Sequence, residues 1–444
     1  MPVTAPFAAV RYDLDKIGSL SDVIAPPYDV IDPELQNQLY DRHPANVIRV
    51  ILNRTEPSDT GDERYARAAA FVDQWKSDGT LMTENAPAFY VYHQQFTADG
   101  QTFNRRGFMG AVRIEPFGTG NVYPHEETHP KAKVDRLKLT TATRQNNSQI
   151  FGLYPDPDNE VITLLDAAIE GVDPIEATDH LDVQHRLWPV TDTAVIDRVQ
   201  TLMADRPMFV ADGHHRYETA ANYREQITAE HGGSLPEDHP ANFVMTMLVG
   251  MSDPGMIVLP THRLLRGTPK FESDQIVAAL AGMFECEVHA AGLPAAAAAW
   301  TEMEDAGDQS RMALFAAADQ TWVSIKATGG AAEKMREIAP ERSDDWRGLG
   351  VSLLHRLVLD TLLGLQGHAK PTYVHEVDEV ITALKGEGSQ AESDGDDEYT
   401  LAALVMPATL QHVEAISLHK ERMPAKSTYF YPKLLSGLTF NPLT

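Results

Sequence analysis

The chain reads as an α+β protein: a mixed-sheet N-terminal region, a strand–turn–helix core and an inserted α/β subdomain. Three stretches carry that reading. Phe89 to Phe96 and Phe103 to Ile114 are strand-like runs joined by Ala98-Asp99-Gly100, the pattern of an antiparallel pair. Residues 61–78 place Tyr65, Ala68, Phe71, Val72 and Trp75 on one helical face. Met208 to Ala211 is a short apolar run, Asp212-Gly213 breaks it, and Tyr217, Ala220 and Ala221 then recur at helical spacing. The expected segments are 1–155 (mixed α/β), 156–268 (core), 269–335 (inserted subdomain) and 336–444 (C-terminal α/β region).

Taken in order, Phe7 to Tyr12 is an expected strand, and Val23 to Ile31 a loop stiffened by Pro26-Pro27. Asp32 is a natural N-cap, with Pro33 at the first position of a helix to about Tyr40. Asn46 to Leu52 alternates like a strand carrying Arg49, and a helix is expected from near Asp135. Asn146 to Gln149 is polar and loop-like, leading into a strand from Ile150 to Tyr154. Helices are expected over Val161–Ala168, Thr191–Ala204 and residues 214–230, and strands at Leu187–Val190, Phe243–Val249 and Met256–Leu259. Residues 271–330 alternate helix and strand, and 346–365 form a leucine-rich helix. Gly386 to Glu398 is an acidic, polar tip, followed by a strand from Tyr399 to Met406 and a helix around His412–Leu418.

Composition narrows the function classes. The net charge is −27, from 37 Lys+Arg against 64 Asp+Glu, which argues against a large nucleic-acid footprint but leaves room for a local basic pocket. No apolar run approaches the ~18 residues of a membrane span. The opening Met-Pro-Val-Thr-Ala has neither a basic n-region nor an apolar h-region, so no export signal is expected. A single cysteine, Cys286, rules out an internal disulfide and fits a reducing cytoplasm.

Chemistry concentrates at four places. At the Asp212-Gly213 elbow, His214, His215 and Arg216 stand on the first turn of a helix, where free N–H groups, the dipole and a guanidinium fork suit a phosphate; capping and packing are the plain alternative. His125-Glu126-Glu127-Thr128-His129 has the spacing of a zinc-protease helix, but Pro124 and Pro130 bracket it and Pro130 pushes His129 away from helical angles. What remains is His125 and Glu126 ahead of Lys131, Lys133, Asp135 and Arg136, cations and carboxylates able to bind phosphate and poise a base, or a solvated helix start. Asp29 beside the Pro-Pro-Tyr corner is a positioned carboxylate or a turn cap, and His262 with Arg263 is a second anion contact at a strand end. The tail, Met423 to Lys433, gathers Lys426, Ser427, Thr428 and Lys433 among three aromatics: phosphate-holding chemistry, or a docked surface strand. No Walker loop or Rossmann fingerprint is present.

The elbow Ala211-Asp212-Gly213-His214-His215-Arg216-Tyr217 resembles the phosphate-binding loop of the ParB/sulfiredoxin superfamily, which includes kinases acting on free L-serine. Nearly the whole chain also resembles a prokaryotic family of proteins of unknown function, some labelled helix-turn-helix regulators. The matching pieces are Pro26 to Val30, His125-Glu126 with Thr128, Lys133 with Asp135-Arg136, the elbow, Pro260 to Arg263, and Lys426 to Lys433. The resemblance implies a ParB/sulfiredoxin-like core over 156–268 and phosphoryl transfer to the hydroxyl of L-serine. It implies that Gly213, His214, His215 and Arg216 hold the phosphate and that Glu126, or else Asp29 or Asp212, accepts the proton. Arg49, His125, Lys133, Asp135, Arg136, His262, Arg263, Lys426, Ser427, Thr428 and Lys433 are left to hold L-serine and the donor, which is ATP, ADP or pyrophosphate with Mg²⁺. The other implied reading is a DNA-binding regulator; Glu218, Glu225 and Glu230 on helix 214–230 speak against a recognition helix.

Overall fold

The computed structural model describes residues 2–98, 100–126, 130–387 and 398–444. The turn residue Asp99, the run Glu127-Thr128-His129 with its zinc-like second histidine, and most of the acidic 386–398 stretch lie outside the described residues. Two compact units emerge: Met1–Pro124, Thr128–Ile257 and Pro432–Thr444 in the first; His125–Glu127 and Val258–Tyr431 in the second.

The first unit is built on a mixed nine-stranded sheet. Its order is Val122–Pro124, Met208–Asp212, Ile150–Tyr154, Phe243–Gly250, Gln101–Arg113, Phe89–Ala98, Gln184–Val190, Ile175–Thr178, with Thr4–Ala5 on Gln101–Arg113. Ile150–Tyr154 and Met208–Ala211 are buried throughout, as continuous apolar runs in a covered sheet should be. The hairpin pairs Tyr90 with Met109 and Phe96 with Phe103. Phe89, Val91, Phe108, Val210 and Leu248 form the core on one face. Gly107 lies so close to the neighbouring strand that a Cβ there would meet the Leu248 carbonyl oxygen at 2.4 Å. Helix Pro130–Thr143 packs between helices Glu63–Ser77 and His214–Glu230.

Two local expectations fail here. Asn46 to Leu52 is not a strand: Ile48–Ile51 is a single helical turn. Asn46 forces it, its Oδ1 accepting from Ile48 N at 2.9 Å while its Nδ2 donates to the Asp22 and Ile24 carbonyls. Val47, Ile48, Val50 and Ile51 are buried around a partly exposed Arg49, and one turn is too short to reveal the helical period. The helix expected near Asp135 starts instead at Pro130, a residue suited to a first turn.

The second unit holds a six-stranded sheet in the order Phe284–Val288, Thr321–Ala327, Arg311–Ala316, Tyr399–Val405, His262–Arg266, Thr372–Val374. Arg311–Ala316 pairs with Tyr399–Val405, so residues 269–335 share one sheet with the region after 336 rather than standing apart as an inserted subdomain. The leucine-rich stretch expected as one helix is broken into Asp344–Gly348, Gly350–Ser352 and a wide π-type helix, Leu353–Leu362. Among the described residues no helix is long and apolar enough to cross a membrane.

Candidate functional site

In the first unit the buried strand Met208–Asp212 ends at Gly213, whose φ of 90° and ψ of 25° put it in the left-handed region that glycine takes at no steric cost. The helix His214–Glu230 follows at once, with Gly213 at its N-cap. Its own ladder begins with Tyr217 N donating to the Gly213 carbonyl at 2.9 Å, so the N–H groups of the first turn and the positive dipole end precede it. Arg216 folds back over the elbow: a Cβ on Gly213 would meet its Cζ, Nε and Nη2 at 3.1 Å. The guanidinium donates to the Gln149 carbonyl and to Asp212 Oδ2. Lys433 Nζ takes the other carboxylate oxygen, Oδ1, at 3.0 Å. Asp212 therefore binds two cations.

Lys433 is itself placed by the sheet. Gln94 Nε2 donates to its carbonyl at 3.2 Å, and Arg105 Nη2 donates to the Pro432 carbonyl at 2.5 Å. Arg105 is fully buried under the Phe151 ring, and desolvation pulls its pKa down to about 10.

Beside the elbow lies a cavity of about 40 Å³ lined by Tyr28, Arg136, Asn146, Asn147, Arg216 and Thr219 among others. Arg136 stacks 4.0 Å over the Tyr28 ring, donates to the Ile51 carbonyl at 2.7 Å and pairs with Asp135. Asp135 also receives Arg64 and, at 2.6 Å, the Tyr65 hydroxyl. Burial alone would raise the Asp135 pKa; Arg136, Tyr65 and Arg64 together hold it below the ordinary carboxylate value. Burial, with Asp29 adding, raises the Tyr28 pKa, while Arg136 and Arg216 pull it back. Arg64, Arg136, Arg216 and Lys433 stand against Asp135 and Asp212, leaving two positive charges, or one when exposed Asp29 is counted. That is a local positive excess in a chain of net charge −27.

Lys133 reaches the elbow helix by an ion pair to Glu218 at 3.1 Å. Asp29 is exposed on the short turn Tyr28–Val30, behind buried Pro26-Pro27. Arg49 is not gathered with them: it donates to the Tyr40 and His43 carbonyls at 2.8 and 2.9 Å, closing the end of helix Pro33–Arg42.

The second unit assembles the other candidates. His125 is fully buried, its Nε2 2.8 Å from Thr428 Oγ1 and 3.7 Å from Glu126 Oε1. Thr428 Oγ1 lies 3.3 Å from the same carboxylate oxygen. The backbone holds this cluster together, since Met423 N donates to the His125 carbonyl at 2.8 Å. Arg263, fully buried, donates to the Thr261 carbonyl and, at 2.7 Å, to the Lys426 carbonyl; its charge centre lies 5.6 Å from the Tyr373 ring. Desolvation lowers the Arg263 pKa to about 10, against the pull of Tyr373 and Glu126. Ser427 is buried, its hydroxyl given to the Pro424 carbonyl at 2.6 Å. His262 is fully buried edge-on to Trp300, and desolvation, reinforced by Arg263, takes its pKa down to about 3.

Sequence reasoning singled out neither Gln149 nor Arg105, whose partners lie 67 and 327 positions away. Thr219 carried one faint signal, a hydroxyl between Tyr217 and Ala220 on the buried side of the helix.

Comparison with solved structures gives weak likenesses. A free serine kinase in complex with AMP aligns at TM-score 0.31 and 12% identity, over 71% of this chain and 92% of the other. SbnI with C-terminal truncation, from Staphylococcus aureus, aligns at TM-score 0.34 and 8% identity, over 76% and 87%. A conserved hypothetical protein from Pyrococcus furiosus aligns at 0.31 and 12%, over 71% and 89%. Scores this low carry no argument about activity. No curated protein matches the sequence. The family described as "Protein of unknown function (DUF1015)" matches residues 4–369, most of the chain, and the protein belongs to that family.

Proposed function

We propose that the chain is a phosphotransferase that moves a phosphoryl group to the hydroxyl of free L-serine, giving O-phosphoserine. The observation that carries this reading is the left-handed Gly213 at the head of helix His214–Glu230, with Arg216 and Lys433 both pinned by Asp212. Phosphoryl transfer asks little covalent chemistry of a protein and much positioning and charge neutralisation, which such an elbow supplies through N–H groups and fixed cations.

In this reading Gly213 to Arg216 hold the transferred phosphoryl group, in a loop of ParB/sulfiredoxin type, and Lys133, Arg136 and Lys433 neutralise charge around it. The serine oxygen bonds to phosphorus while the bridging P–O bond of the donor breaks, its electron pair leaving with the donor. The serine proton passes to a carboxylate. Asp212 is a poor acceptor because two cations already bind it, so the role goes to Glu126, with Asp29 the alternative. Within the second unit, Thr428, His125 and Arg263 surround Glu126. Donors in scope are ATP, ADP and pyrophosphate.

Among the described residues no group of three or more His, Cys, Asp or Glu forms a metal cage. Mg²⁺ carried by donor phosphates needs only one or two carboxylates, and exposed Asp29 fits that requirement. When bound, the ion neutralises donor phosphate oxygens. The rival DNA-binding reading is disfavoured because Arg216 and Arg224 direct their guanidinium groups inward, Arg224 to the Ile114 carbonyl at 2.8 Å.

The test incubates the protein with L-serine, Mg²⁺ and each donor separately and follows O-phosphoserine by mass spectrometry. Product with at least one donor is expected; none with any donor overturns the reading.

A further inference from the structure

The cavity beside the elbow contains a group that phosphate binding leaves unused. Thr219 lines it at 2% exposure, and its Oγ1 has no hydrogen-bond partner among the described residues. A buried hydroxyl is rarely left so, and one facing a cavity points to a ligand. We infer that this cavity receives the α-carboxylate of the amino-acid acceptor, held by Arg136, Arg216 and the Thr219 hydroxyl. The inference rests on the phosphotransferase reading and adds to it the subsite that tells a free amino acid from other alcohols.

Size, charge and shape agree. A volume of about 40 Å³ accommodates about three waters, the scale of one carboxylate. Each guanidinium has five N–H groups. Arg136 spends three, two on Asp135 and one on the Ile51 carbonyl, and Arg216 spends two, on Gln149 and Asp212. Planar forks with donors to spare suit a planar carboxylate. Ile51, Leu139, Ile150 and Ala220 line the rest of the cavity, an apolar wall for the carbons next to the carboxylate. Arg216 joins the two subsites: its guanidinium lies against Gly213 and also lines the cavity. One side chain is therefore shared by the carboxylate and phosphate subsites.

Calorimetric titration of the full chain with L-serine and with L-serinamide tests this. L-Serine should bind at least about tenfold more tightly than L-serinamide, and Thr219→Val should weaken L-serine about five- to tenfold. Equal affinity for the two ligands, or wild-type L-serine affinity in Thr219→Val, overturns the inference. If the variant fails to fold by circular dichroism, the wild-type comparison decides alone. Preference for L-serine without phosphoserine from any donor would sink the activity and keep the carboxylate site. Phosphorylation of L-serine and L-serinamide with equal KM would do the reverse.

Discussion

Glu126 and Asp29 are the two carboxylates left to compete for one role, and their surroundings differ. Glu126 is backed by a buried histidine and a threonine hydroxyl, whereas Asp29 is exposed on a short turn. Removing a general base costs on the order of 10²–10⁴ in rate. Glu126→Gln should therefore lower kcat by at least about a hundredfold, and Asp29→Asn by less than about fivefold, in a steady-state phosphoserine assay. The reverse ranking would transfer the role to Asp29. At this scale the sequence was legible where function and local geometry coincide. Asp212-Gly213 announced a bend, and Gly213 has the positive φ that only such a bend needs. It was only half legible for Asp212: Arg216 stands four positions on, whereas Lys433 comes from the tail, 221 positions away.

At the scale of elements, the tail is the instructive case. Lys426 to Lys433 looks like one phosphate-binding segment, yet it divides: residues to Tyr431 belong to the second unit and those from Pro432 to the first. Arg105 and Gln94 on the central hairpin fix Pro432 and Lys433. Replacing Arg105 by Met strips the buried Gln94 oxygen and Pro432 carbonyl of their donor, and unsatisfied buried groups cost about 1–3 kcal/mol each. Arg105→Met should destabilise the protein by about 2–4 kcal/mol in urea titration and weaken phosphate binding by releasing Lys433. A variant as stable as wild type would remove the tail anchor from the account. Helices with one polar face and long alternating strands were readable in advance. Ile48–Ile51 was not, because a single turn is too short to show an amphipathic period.

Over the whole molecule, buried histidines should make the fold sensitive to acid. In the second unit, buried His262 has its pKa depressed to about 3 and its Nδ1 accepts from Val405 N at 3.4 Å, so the folded state requires the neutral ring. His355 is depressed to the same value by burial and Arg263. A depressed folded pKa contributes stability that is complete above the unfolded value near 6.5 and lost as pH falls towards 3. Between pH 8 and pH 5, His262 alone should remove about 2 kcal/mol. His262→Asn, which keeps an acceptor near the Nδ1 position, should flatten that loss in melts followed by circular dichroism; an unchanged acid slope would contradict it. The acidic balance, visible from composition alone, left room for a local basic pocket without placing it. How its four cations divide between Asp135 and Asp212 only the fold could show. The central claim is that the bend at Gly213 seats a phosphoryl group, and product binding addresses it most directly. Calorimetric titration of O-phosphoserine should show affinity falling at least about tenfold in Arg216→Gln and in Gly213→Ala, where a Cβ displaces the guanidinium. Undiminished O-phosphoserine affinity in both folded variants would contradict it.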